Sequence, residues 1–464
     1  MNVLQRAWGW LKGLFTKTEL EKIFDVELIS SEMKERIREW DLMFRNTPPW
    51  LDRDNGITTL GHAPIIAREL SNQTTLEFAS TIADYEDLNE DYQLLIEQVQ
   101  NITEFVMAKG GVMLKPFAID GIVYVSTYQP ERFDITAVNA LNQPTGVIFT
   151  DTYQDGKTLY TKLEYHKYDA STKTETIIHK AFKSVEGGAP AQVPLASTPL
   201  WGNVEPETTA QGVEMPLFTY YKTPIVQAVD YDSPLGISYY ANCANLIREA
   251  DELYSAMLWE YEGSKLRIFA VETLIPTEGF SGNLKKLFVK LAPNGGVDSK
   301  TPPIDKFSPD IRFNAYIQGI DSILMKIEDS IGLSRATLSN ETAQARTATE
   351  IKVLKQRTFA TVTGNQKALR VALENTAYAM YYFKYNRQAE SLDISFDFDD
   401  SIINDKASET ALAQLEVASG LRSRMNYLMT IRNLTEQEAA AELQAMRDEE
   451  MGLIEQQPID SSIE

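Results

Sequence analysis

The chain has 464 residues, 43% of them hydrophobic and 24% charged, and carries a formal net charge of −22. That length supports a large core and more than one module, and no run of about eighteen apolar residues occurs that would span a membrane. The acidic balance argues against a nucleic-acid grip that works by neutralising phosphates, and the single cysteine, Cys243, excludes an intramolecular disulfide framework.

Residues 1–30 form an N-terminal amphipathic segment. Over 1–24, Trp8, Trp10, Leu11, Leu14 and Phe15 oppose Arg6, Lys12, Lys17 and Lys22. Such a helix suits a membrane interface, but Glu19 and Glu21 reduce its charge, and a helix that packs or docks needs no more than this. Arg6, Lys12 and Lys17 interrupt any signal-peptide pattern. Helical spacing recurs at 30–45, 61–72 and 87–109, the last ending at Gly110-Gly111. From Val112 the period shifts to two, with β-branched and aromatic runs at 121–126, 145–150 and 158–168, and the pattern predicts an antiparallel sheet continuing past Ile178. Asp155-Gly156 is the expected hairpin turn. Residues 187–216, rich in Gly, Pro, Ala and Thr, read as a loop or linker.

After Ser233-Pro234, the positions Ile237, Tyr240, Ala244, Ile247, Asp251, Tyr254, Leu258 and Tyr261 predict a helix over 237–262, about 39 Å long. Gly263 ends it. Residues 264–308 then hold two strand-like runs, Leu266–Ile275 and Lys286–Leu291, in a segment too small to support its own core. A second amphipathic helix follows, with Phe313, Ile317, Ile320, Leu324, Ile327 and Ile331 on one face, opened by Ser308-Pro309-Asp310 and closed by Gly332. Residues 333–346 are mostly polar, with Leu333 and Leu338 their only large apolar side chains, and read as a flexible functional loop. Thr347-Ala348-Thr349-Glu350 is a capping box that starts a long helix reaching Tyr385. The last 75 residues, from Glu390, carry 17 acidic against 5 basic side chains and form a distinct acidic end.

Catalytic signatures are absent. His62, His166 and His179 lie at no metal-ligand spacing, and neither a phosphate-binding P-loop nor a nucleophile elbow occurs. Asp397, Asp399, Asp400 and Asp405 suggest a calcium loop or a metal-dependent nuclease. Ile402 stands where an EF-hand needs Gly, however, and Ser408 stands where it needs Glu, so a solvated acidic strand end is the competing reading. No cofactor is expected.

Three stretches carry a resemblance. Ala67-Arg-Glu-Leu-Ser-Asn-Gln-Thr-Thr-Leu-Glu-Phe78, Gly332-Leu-Ser with the later Arg346-Thr-Ala-Thr-Glu-Ile351, and Phe396-Asp-Phe-Asp-Asp-Ser-Ile-Ile403 resemble, in this order, portal proteins of tailed bacteriophages, siphoviruses of Gram-positive hosts in particular. The resemblance implies an α+β portal-like fold. Its parts would be a mixed wing at 31–236, stem helices at 237–263 and 309–332, a small α/β clip at 264–308, a tunnel loop at 333–346, a long wing helix and strand at 347–400, and a helical crown with acidic tail at 401–464. It also implies a ring, usually of twelve subunits, at one capsid vertex of the virion, assembled in the host cytoplasm. Double-stranded DNA would pass through it without sequence readout. Implied partners are the terminase large subunit, head-completion or tail adaptor proteins, and the major capsid and scaffold proteins; no membrane is involved.

On that pattern Arg335, Asn340, Glu341, Gln344 and Arg346 are the DNA-proximal loop residues. Lys326 is a stem channel candidate, and Lys285, Lys286 and Lys290 are adaptor-facing candidates of the clip. Competing readings stay open. The stem stripes suit ordinary core helices, the two arginines suit helix-end pairing, and Lys326 suits an ion pair with a neighbour's Glu328 or Asp329. A scaffold- or membrane-associated head-assembly protein without a channel is the alternative function.

Overall fold

The computed structural model describes residues 15–29, 32–186, 188–271, 287–291, 304–307, 309–340, 348–398, 406–432, 434–435 and 438–446. They divide into two compact units, Met1–Phe398 and Asp399–Glu464.

The first unit opens with helix α1 (Lys17–Phe24). Thr16 caps it and Glu19 reaches back, a Thr-x-x-Glu capping box concealed among the charges of residues 1–24. Its Leu20, with Phe15 and Ile23 alongside, packs on Ile148, Leu163 and Phe182 of a sheet. The described part of the amphipathic segment is therefore a packing helix.

Helices α2 (Glu32–Phe44) and α3 (His62–Thr74) match the predicted spans. The predicted helix over 87–109 is two helices, α4 (Glu86–Ile96) and α5 (Val99–Lys109), joined at 97–98. Strand β1 (Ala79–Ile82), absent from the sequence reading, pairs antiparallel with β14 (Ile394–Asp397).

The expected single sheet is two. Strands β2 (Gly111–Ile119), β3 (Ile122–Tyr128) and β10 (Thr219–Lys222) form one, in the order β10-β2-β3. The larger runs β4 (Phe133–Val138), β5 (Pro144–Asp155), β6 (Thr158–Asp169), β7 (Thr174–Val185) and β8 (Ala191–Val193), with β9 (Glu207–Gln211) on the other end of β7. Strands β5 and β6 turn at Gly156-Lys157, where Gly156 takes φ +56°, as the Asp-Gly signal requires. Strands β8 and β9 come from the predicted linker, so 187–216 closes the sheet edge rather than merely connecting.

An ionic cluster joins the sheets. Lys115 of β2 meets Glu164 of β6 at 2.6 Å, and Lys162 bridges Glu164 at 2.8 Å and Asp151 at 3.1 Å. The His166 ring lies 2.8 Å from Glu164 and 2.6 Å from Glu175, which also accepts the Leu217 N–H.

The long helix α8 (Ala348–Tyr385) ends where predicted. Its Leu369, Leu373, Ala377 and Met380 bury against α4, α5 and β2. The second unit holds α9 (Lys406–Ala418) and α10 (Arg424–Ile431). Thr347 and its capping box lie outside the described residues.

Candidate functional site

Helix α6 is Ala244–Gly263, beginning seven residues later than expected, with a single 3₁₀ turn at Ala241–Cys243 before it. The reason is tertiary. Residues 236–240 spend their backbone groups on neighbours: Gly236 N–H donates to the Tyr220 hydroxyl, Tyr239 N–H to Met107 O, and Ile237 O accepts from Thr223. At Gly236 a Cβ would lie 2.1 Å from Gly110 O, so this backbone crossing admits no side chain. Ile237 and Tyr240 are buried as expected, but from an irregular chain. The helix is about 30 Å long, roughly three-quarters of the expected length.

The charge within the α6 stripe also has a partner set. Asp251 is fully buried and accepts from Trp50 Nε1 at 2.9 Å and Leu60 N–H at 2.8 Å, while Ser255 accepts the Thr58 N–H. These bonds strap residues 50–60 to the helix.

Helix α7 (Phe313–Ile331) starts at Arg312 without a side-chain cap. Proline and Asp at 309–310 precede it, and Glu260 of α6 replaces the expected cap. Glu260 accepts the Arg312 N–H at 2.9 Å, its guanidinium at 2.7 Å and the Tyr316 hydroxyl at 2.8 Å. These bonds, the Arg312 side chain first, bring the Glu260 carboxyl down to about 2. The insert between the helices thus leaves and returns through one pinned junction. Its described strands are β11 (Arg267–Val271), β12 (Phe288–Leu291) and β13 (Ile304–Phe307). They pair in the order β12-β11-β13, with β11 parallel to β12 and antiparallel to β13, one strand more than predicted.

The two helices have a buried end and an exposed end. Ile247, Ala250, Leu324, Ile327 and Ile331 enter the core. At the other end Trp259 is 77% exposed, and Leu258, Leu266, Ile311, Phe313 and Ile317 are each more than a third exposed.

The segment after α7 is not slack over its described part. Gly332 turns with φ +77°, Leu333 is fully buried, and residues 334–340 bond to α7 and α8. Glu328, fully buried, accepts the Leu338 N–H at 2.5 Å, the Ser339 N–H at 2.8 Å and the Ser339 hydroxyl at 2.8 Å. Asp321 accepts the Asn340 N–H at 2.6 Å. Toward α8, Thr358 accepts the Ser334 N–H at 2.7 Å and Thr361 donates to Gly332 O at 2.9 Å. Over 333–340 three acidic side chains of one helix meet the donors of the expected loop. Residues 341–347 lie outside the described set.

Among the predicted site residues, Arg335 pairs with Asp329 at 3.1 Å, beside Arg357 on the same carboxylate at 2.5 Å. The helix-end reading of Arg335 therefore holds within this chain. Asn340 engages through its backbone and its residue is exposed. Lys326 is exposed on α7. Its proposed pairing with a neighbour's Glu328 is closed, since Glu328 is buried against its own loop. Lys290 is in β12. Lys285, Lys286, Glu341, Gln344 and Arg346 lie outside the described residues. Sequence reasoning named Glu328 only as an ion-pair partner for a neighbour's Lys326, not as the holder of the loop, and missed Glu260. Glu328 stands four residues after Leu324 and three before Ile331, so an acid on the apolar face was the available signal.

Asp397 sits in β14 opposite Ala79, and Asp399, Asp400 and Asp405 lie outside the described residues. Among the described residues no group of three or more His, Cys, Asp or Glu could hold a metal ion. His179 Nδ1 lies 2.9 Å from Glu205 O, and burial lowers His62 despite the nearby Asp251 charge. No described helix is long and apolar enough to cross a membrane.

No curated protein matches the chain. The family model described as "Phage portal protein, SPP1 Gp6-like" matches residues 113–453, a span that takes in the larger sheet, both helices, the insert, the pinned segment and α8. The match covers well over half of the chain, which belongs to the SPP1 Gp6-like family of phage portal proteins.

Proposed function

We propose that the chain closes into a ring, expected to hold twelve copies, with a central channel at one capsid vertex through which double-stranded DNA is packaged and ejected. Helices α6 and α7 would form the stem, residues 264–308 the clip, and the segment after α7 the channel loop. The terminase would dock on the ring first and head-completion or adaptor proteins later, with Lys285, Lys286 and Lys290 facing the adaptors. Capsid and scaffold proteins would hold the outer rim. Arg335, Asn340, Glu341, Gln344 and Arg346 would lie nearest the DNA, and Lys326 would line the stem.

The observation that supports this reading is the apolar end of the α6–α7 pair. Trp259 at 77% exposure, with Leu258, Ile311 and Phe313 at that end each more than a third exposed, is an unusual surface for an isolated chain. Copies related by rotation would cover it, one face meeting a different face of the next, and such contacts close into rings. The acidic chain suits passage, since like charge repels phosphates over about 10 Å at 0.1 M salt.

Mass photometry and negative-stain imaging of the purified chain test the proposal. Closed rings with a channel are expected, and Trp259→Asp with Phe313→Asp should weaken assembly by at least about tenfold, from about 1.5–3 kcal/mol per side chain kept in water. Compact monomers or channel-less assemblies from the unmutated chain would instead support the head-assembly alternative.

A further inference from the structure

We infer that Glu328 is the positioning residue of the loop: it locks residues 333–340 to α7, so that a push on the loop moves the stem helix and the start of α8 with it. This rests on the channel-loop reading for its functional meaning, though the lock itself does not.

A buried carboxylate is costly unless its lone pairs are filled. Glu328 fills them from the loop. One oxygen takes the backbone N–H groups of Leu338 and Ser339, and the other takes the Ser339 hydroxyl. Charge-assisted bonds of this kind are about twice as strong as neutral ones. The side chain stands one turn before the helix end, where the Leu333 N–H donates to Glu328 O at 3.0 Å. The same residue therefore ends the helix with its main chain and fixes the loop with its side chain.

Two further acids of α7 extend the lock. Asp321 holds Asn340, and Asp329 holds Arg335 while reaching Arg357 of α8. The loop is thus tied at residues 335, 338, 339 and 340 to one helix and at 332 and 334 to another. Ala336 adopts φ +69°, a conformation that non-glycine residues adopt rarely and that these ties hold in place. A segment so fixed cannot swing about its own backbone torsions. Any displacement of residues 333–340 carries α7 and α8 along.

Amide hydrogen exchange on the assembled full-length chain tests this. In the unmutated protein and in Glu328→Gln, which keeps an oxygen for both N–H groups, the amides of Leu338 and Ser339 should stay protected. In Glu328→Ala their exchange should rise at least about tenfold, together with the last turn of α7. Should Glu328→Ala fail to fold, Ser339→Ala serves: it keeps both backbone bonds to Glu328, removes the hydroxyl with its bond to Glu328 and the one it accepts from the Ala336 N–H at 3.1 Å, and should raise exchange at 336–340 by a smaller factor. Unchanged exchange in Glu328→Ala, or in Ser339→Ala where that variant replaces it, overturns the lock.

Nuclease-protected DNA in filled heads gives the second readout. Faster exchange with reduced protected DNA in Glu328→Ala, restored in Glu328→Gln, supports the full inference. Faster exchange with packaging unaltered keeps the lock and removes the channel-loop reading from under it.

Discussion

His166 shows how much of the first unit depends on the charge of one side chain. Burial alone would push this imidazole toward neutrality, but its hydrogen bonds to Glu164 and Glu175 and their charges hold it above its ordinary value of 6.5. Burial likewise opposes ionisation of Glu164, and Lys115 with the two histidines overcomes it, leaving that carboxyl well below 4.5. Three carboxylates (Asp151, Glu164 and Glu175) face two lysines, and a proton on His166 adds positive charge between Glu164 and Glu175. His166→Ala should lower the unfolding free energy by about 3–5 kcal/mol, the cost of stranding a buried charge. The pH dependence has a definite sign. Stability from His166 is fully present below pH 6.5 and is lost as pH rises through the raised folded value; stability from Glu164 is present above pH 4.5 and is lost as pH falls through its depressed one. Urea midpoints of the unmutated chain should therefore fall on the alkaline side, while those of His166→Gln should not share that decline. An identical decline in both would refute the assignment.

At the scale of elements, periodicity identifies helices well and misplaces their ends. Helices α2, α3, α7 and α8 follow their apolar stripes, because the stripe is what buries. The start of α6 is illegible, since Ile237 and Tyr240 keep helical spacing while the backbone bonds of residues 236–239 go to Met107, Thr223 and Tyr220, which no local pattern reveals. The junction at Glu260 is illegible for the same reason: its partner Arg312 is 52 residues away. Of the candidate site, the two helices and the insert are legible from spacing, and the lock on the loop is not. Asp251 is visible in the sequence as one charge inside an apolar face, and the structure supplies its purpose. Asp251→Ala should leave Trp50 Nε1 and the Leu60 N–H without acceptors, at about 1–3 kcal/mol each. Limited proteolysis should then cut between 51 and 59 faster, with α6 itself intact by circular dichroism. Equal cutting rates would mean the strap is held by something else.

For the whole molecule, the four apolar clusters of the described residues lie within 15–398, and the acidic end from Asp399 onward belongs to the other unit. A chain ending at Phe398 should therefore retain a cooperative unfolding transition, with a midpoint within a few degrees, about what 1 kcal/mol shifts a domain of this size. Loss of that transition in calorimetry would show that the units stabilise one another. The pairing of β1 with β14 sets the timing of folding during synthesis. Ser80 bonds Ser395 O across 315 residues, at 2.7 Å. At about 5–20 residues per second, β14 leaves the ribosome tens of seconds after β1. Through that interval the exposed edge of β1 stays open to the wrong strand, including the same strand of another nascent chain. That edge is covered only once residues 394–397, at the end of the first unit, have been made.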